Sequence, residues 1–196
     1  MIKNTTLKIV AGSLATVVMG SALVYYNFID KAPESGIQKG NKCLDFTAKT
    51  YSVNADREFY IDGNTFTLSE QIGKVVVVNF WEVWCAACVH ELPYFDQIQK
   101  EYGDKVEVIA LAGVTSTVDS AVAWMNNEGW KSYAPESDWK EFDLTVGWLE
   151  TETCTEMGCG GLLPRTVIVD KSGIVVYAED GAMTYEKLKT EIESVL

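Results

Sequence analysis

The chain has 196 residues, 47% apolar and 22% charged, with six tryptophans. That is enough for one globular domain of ordinary size with a short appendage, and it argues against disorder in the body of the chain. The net charge of −12 argues against a nucleic-acid partner, because an acidic body repels phosphate backbones.

In chain order, the first element is a membrane signal. Ile9 to Phe28 runs for twenty positions without a charged residue. That matches the length of a helix crossing a ~30 Å hydrocarbon core. Lys3 and Lys8 precede the run, and Asp30, Lys31 and Glu34 follow it. The positive flank predicts a cytoplasmic N-terminus and an extracytoplasmic body. Two readings stand for residues 1–30. One is an uncleaved transmembrane anchor, favoured because the apolar run continues past Ala22. The other is a signal peptide cut after Gly20-Ser21-Ala22. Both export the body. Residues 31–40, with Pro33, Gly36 and Gly40, read as a linker, and residues 41–196 as one domain.

Within that domain, Phe59 to Leu68 reads as a small hairpin turning at Asp62-Gly63. Lys74 to Phe80 reads as a buried strand, with Val75 to Val78 a continuous β-branched run. Helix is predicted from Ala86 to Tyr102, since Val89, Leu92, Phe95, Ile98 and Tyr102 recur at helical spacing. Pro93 is expected to kink it. Val106 to Ala112 is a second buried strand, Val118 to Asn127 a helix, and Leu144 to Leu149 a short strand. Thr166 to Asp170 and Ile174 to Ala178 form a hairpin around Lys171-Ser172-Gly173. Thr184 caps a final helix reaching Val195. A strand–helix–strand crossover requires a parallel pair, and the late hairpin adds antiparallel strands. The fold class is therefore α/β, a mixed central sheet flanked by helices.

Cys85-Ala86-Ala87-Cys88 falls where the buried strand meets the long helix. A helix N-terminus presents unpaired N–H groups and the positive end of its dipole, so a thiolate there is stabilised. Cys85 is then the nucleophile and Cys88, one turn in, the resolving thiol. The motif alone leaves alternatives. Haem attachment requires His after the second cysteine, and position 89 is Val. A zinc site requires a second ligand pair, which Cys154 and Cys159 could supply. A four-cysteine metal-binding or structural module is thus the runner-up.

Asn79-Phe80-Trp81-Glu82-Val83-Trp84-Cys85-Ala86-Ala87-Cys88 resembles the active-site segment of thioredoxins, and most closely that of membrane-anchored TlpA/ResA-type proteins. Pro93, five residues after Cys88, matches that family's helix-kinking proline. The segment from Gly161 to Gly173 resembles its cis-proline loop and following hairpin. The similarity runs from about Cys43 to the C-terminus. It implies a thioredoxin-like fold and a protein thiol–disulfide oxidoreductase needing no cofactor. The implied partners are exported protein disulfides or dithiols and a membrane electron donor. The implied direction leans toward reduction. It makes Pro164 the cis-proline, presenting the Leu163 backbone beside Cys85, with Trp84 on the substrate side. Leu163 is bulkier than the residues common at that position.

Thioredoxins carry a buried aspartate where this chain has Asn79. TlpA/ResA-type proteins instead resemble it at Glu91, which becomes the carboxylate expected to take the Cys88 proton; Glu82 is a weaker candidate. His90, the only histidine, is expected on the exposed helix face. The cysteine count is odd, so at least one thiol is unpaired, and Cys43 is expected to be buried or free. Cys154 and Cys159 depart from the family pattern. Their separation cannot bridge along a continuous helix, but Gly158, Gly160 and Gly161 suggest a loop in which a local disulfide forms. Arg165 is expected either to add positive charge near Cys85 or to lie on the surface.

Overall fold

A computed structural model describes residues 34–159 and 161–196. The anchor or signal peptide expected around Ile9–Phe28 lies outside them. Among the described residues no helix is long and apolar enough to cross a membrane.

Seven strands form one sheet: β1 (Thr47–Val53), β2 (Phe59–Thr67), β3 (Val75–Phe80), β4 (Val106–Ala112), β5 (Thr145–Trp148), β6 (Arg165–Val169) and β7 (Val175–Asp180). Their spatial order is β2-β1-β5-β4-β3-β6-β7. β4 runs parallel to β3 and β5, and every other neighbouring pair is antiparallel. The sheet is mixed, as the order of predicted elements requires. The helices are α1 (Ala86–Tyr102), α2 (Val118–Asn126), α3 (Thr151–Glu156) and α4 (Tyr185–Glu193).

β3 lies at the centre because each of its residues is buried, and only a strand covered on both faces can be apolar throughout. Val75 and Val77 join a core with Val89, Leu92, Phe95 and Ile98 of α1. Val76, Val78 and Phe80 join a second core on the opposite face. The period of two thus divides the valine run between two layers. Tryptophans fill the α1-side core: Trp81, Trp124, Trp130 and Trp139 lie within 5.1–5.9 Å of one another in successive ring pairs.

Two features differ from the sequence reading. Phe59–Thr67 is one strand, paired along its length with β1, which the sequence reading missed. The Asp62-Gly63 turn signal survives as a bulge. Lys49 pairs with Thr65 and Tyr51 with Ile61, so residues 62–64 stand opposite Thr50 alone. Gly63 takes φ 90°, and Asp62 Oδ1 accepts the Asn64 N–H. Part of the segment expected as linker is packed onto the domain. Ile37 is buried in the second core, Gly36 N–H donates to the Lys42 carbonyl, and Gly40 N–H donates to the Val175 carbonyl.

Candidate active site

β3 and β6 pair antiparallel, and Phe80 and Arg165 are their last partners. The turn leaving β3, Trp81 to Cys85, and the loop entering β6, Leu163-Pro164, therefore emerge at the same end of neighbouring strands. Cys85 is the N-cap of α1, with its Sγ accepting the Cys88 N–H at 3.3 Å. Cys85 and Cys88 form a disulfide with their Cα atoms 5.3 Å apart. Cys85 keeps 8% of its surface exposed and Cys88 none, so an incoming partner meets Cys85 first. The sulfur thus lies at the helix N-terminus, where the unpaired N–H groups and the dipole favour a thiolate.

The Leu163–Pro164 peptide bond is cis. Leu163 is half-buried and packs against both cores. Pro164 is buried, with its carbonyl accepting the Gly181 N–H at 2.7 Å. Trp84 is 59% exposed, and its indole Nε1 donates to Thr115 Oγ1 at 2.8 Å. Leu162 is also exposed, so two large apolar side chains flank the cysteine turn and the cis-proline loop.

Glu91 lies one turn beyond Cys88 on the same face of α1, fully within the α1-side core. Its Oε2 accepts the Met183 N–H at 2.7 Å and its Oε1 accepts Asn79 Nδ2 at 2.8 Å. Burial pushes its carboxyl up to about 7, and those two hydrogen bonds only partly oppose the shift. Asn79 thus occupies the place of a carboxylate while orienting another one. In the sequence Asn79 stands out only as a missing acid. Nothing in the chain signals the Met183 contact, 92 residues away.

Glu82 is buried too, but its carboxylate is engaged elsewhere. Oε1 accepts N–H groups of Thr115 at 2.8 Å and of Gly113 and Ser116 at 3.3 Å, and the Ser116 hydroxyl donates to Oε2. Every contact goes to the loop after β4, so Glu82 organises that loop and does not face the cysteines' proton.

Cys154 and Cys159 also form a disulfide, but Cys154 is helical rather than in a loop. α3 ends at once, because Gly158 turns left-handed at φ 70°. Cys159 N–H donates to the Cys154 carbonyl at 3.0 Å and Gly158 N–H to that of Thr155 at 2.9 Å. This is a Schellman closure, in which residues five apart meet, and the bridge replaces the usual apolar contact between them. Both sulfurs are buried in the second core, opposite Cys85 and Cys88. The four cysteines do not converge, which removes the geometry of a four-cysteine metal site. Among the described residues no group of three or more His, Cys, Asp or Glu side chains could hold a metal ion. Cys43 is free and buried. Arg165 does not lie on the surface: it is buried and paired with Asp180 across β6 and β7 at 2.5 Å. His90 is exposed, edge-on to Tyr94.

The model of the Redoxin family matches residues 38–196. The chain belongs to the Redoxin family. Within it, the thioredoxin-like protein YneN of Bacillus subtilis (strain 168) is 29% identical over 161 residues, covering 82% of each chain. The thiol-disulfide oxidoreductase ResA of Bacillus thuringiensis (strain Al Hakam) is 30% identical over 137 residues, covering 69% of this chain and 71% of that relative. Among solved structures, the pneumococcal exposed lipoprotein thioredoxin of Streptococcus pneumoniae strain TIGR4 superimposes with a TM-score of 0.58 at 26% identity, covering 77% of this chain and 99% of the other. This Redoxin family member is a thioredoxin-like protein of TlpA/ResA type and a protein thiol–disulfide oxidoreductase with a C-x-x-C pair.

Proposed function

We propose that this Redoxin family member works outside the cytoplasm, tethered to the membrane by its N-terminal segment, and reduces disulfides of exported proteins. The observation that carries the chemistry is the Cys85–Cys88 bridge at the N-terminus of α1, with Cys85 reachable and Cys88 sealed. The twenty-position uncharged run behind Lys3 and Lys8 supports the location. The pneumococcal thioredoxin of similar fold is an exposed lipoprotein, which agrees with that location.

In the reducing direction, the Cys85 thiolate attacks one sulfur of a substrate disulfide. The substrate S–S bond breaks, a Cys85–substrate bond forms, and the departing substrate sulfur takes a proton. Cys88 then passes its proton toward Glu91 and attacks Cys85 Sγ. The second substrate thiol leaves, two electrons have moved to the substrate, and the protein is left with its own bridge. A carboxyl raised to about 7 suits this duty, because it can accept a proton from a thiol and release it near neutral pH. Leu163, ahead of the cis-proline, offers backbone for the substrate strand, and Trp84 a side-chain contact. A membrane dithiol donor must then reduce the bridge.

The Cys85/Cys88 reduction potential tests the direction. A value near the roughly −270 mV of dedicated reductants supports this reading. A value near the roughly −120 mV of dedicated oxidants overturns it.

A further inference from the structure

Glu82 stands three residues before the nucleophile and takes no part in the exchange derived above, yet it is buried and its carboxylate accepts four hydrogen bonds. A carboxyl removed from water is tolerated only where other donors replace its hydration. Here they come from Gly113, Thr115 and Ser116 alone. The same loop is held from its far side, where Trp148 Nε1 donates to the Ser116 carbonyl at 2.9 Å and Thr151 Oγ1 to the Gly113 carbonyl at 3.0 Å. Gly113 leaves no room for adjustment, because a Cβ there would meet the Leu149 carbonyl oxygen at 2.0 Å.

Two hydrogen bonds meet at Thr115. Its backbone N–H is fixed by Glu82 at 2.8 Å, and its hydroxyl receives the Trp84 indole N–H at 2.8 Å. Trp84 is one of the most exposed large apolar side chains among the described residues, and a side chain so placed is otherwise free to sample rotamers. Ordering it only when a partner arrives would weaken binding, and ordering it beforehand removes that loss.

We propose that Glu82 is a positioning residue for substrate recognition: through Thr115 it holds the Trp84 indole as a preset apolar platform beside Cys85, suited to a polypeptide disulfide with a large apolar residue next to its cysteine. This role rests on Trp84 facing the substrate, as proposed above.

The test uses the full chain and a synthetic peptide carrying one disulfide flanked by leucine. Thr115→Val removes the indole's acceptor and keeps the backbone bonds to Glu82. It raises KM roughly two- to tenfold, the effect of one lost hydrogen bond, with kcat changed less than KM. Glu82→Ala does the same. Glu82→Gln, which keeps an oxygen facing the loop N–H groups, restores KM to within about twofold of the wild type. Trp84→Ala raises KM at least as far as Thr115→Val. Should Glu82→Ala fail to fold, Thr115→Val and Glu82→Gln carry the test. A wild-type KM in Thr115→Val beside a raised KM in Trp84→Ala overturns the role of Glu82 and leaves that of Trp84 intact. A wild-type KM in Trp84→Ala overturns both. A KM in Glu82→Gln as high as that of an alanine variant also contradicts the positioning role.

Discussion

Glu82 and Glu91 are both buried carboxylates near the cysteine pair, and the structure separates them by their donors. Glu91 accepts one backbone and one side-chain amide N–H and sits on the cysteines' own helix, its carboxyl pushed up to about 7 by burial. In the unfolded chain that group returns to about 4.5. Between those values the folded protein holds a proton that the unfolded chain has released, so the contribution of Glu91 to stability is full below about pH 4.5 and is lost as pH rises toward 7. Glu91→Gln should abolish that decline. Urea unfolding at about pH 5 and about pH 8 should show the wild type losing on the order of 3 kcal/mol between them relative to the variant. The same substitution should slow attack by Cys88 and flatten its rise through neutral pH, measured by stopped-flow decay of a preformed mixed disulfide. A second residue-scale expectation concerns Cys43, whose thiol burial pushes up to about 11, with Asp45 adding to the shift. In the reduced protein, iodoacetamide at neutral pH should modify Cys85 and leave Cys43 unmodified until the chain is denatured, as read by peptide mass mapping. At this scale the cysteine pair was legible from motif and resemblance. The partners were not, because Gly113, Thr115 and Met183 reach the two carboxylates through tertiary packing.

Elements were legible where one strong pattern governed them. α1 runs from Ala86 to Tyr102, as its apolar spacing predicts, with Pro93 inside it. β4 has its predicted bounds, and Thr184 caps α4 by accepting the Lys187 N–H. Legibility failed where pairing overrode local chemistry. Asp62-Gly63 has the composition of a hairpin turn, yet β1 pairs with β2 on both sides of it, and the turn residues become a bulge. It failed again at Cys154, where the bridge was expected in a loop. A six-residue helix closed by a left-handed glycine brings the two sulfurs together, a geometry that arises only where a helix stops. That bridge spans the helix end just ahead of the cis-proline loop. Replacing both residues, Cys154→Ser with Cys159→Ser, should lower stability by about 2 kcal/mol in urea unfolding under oxidising conditions, the loop-entropy value for so short a ring. An unchanged midpoint would mean that the two thiols are not bridged in solution.

For the whole molecule, the order of predicted strands and helices sufficed for a mixed sheet with a helix crossover, and the seven-stranded arrangement bears this out. The strand order itself, with β1 inserted between β2 and β5, was not legible, because the short β5 contacts β1 at only Lys49 and Thr50. The sheet's contribution to function is convergence: the ends of β3 and β6 bring Cys85 and the cis-proline loop to one rim, and the second disulfide lies in the opposite core. One measurement tests the exchange mechanism most directly. Purified Cys88→Ser protein is reacted with a disulfide-bonded peptide, and the trapped adduct is mapped by mass spectrometry without reduction. The expected result is a stable mixed disulfide through Cys85, with Cys154 still bonded to Cys159. No adduct, or an adduct through Cys154 or Cys159, would contradict it.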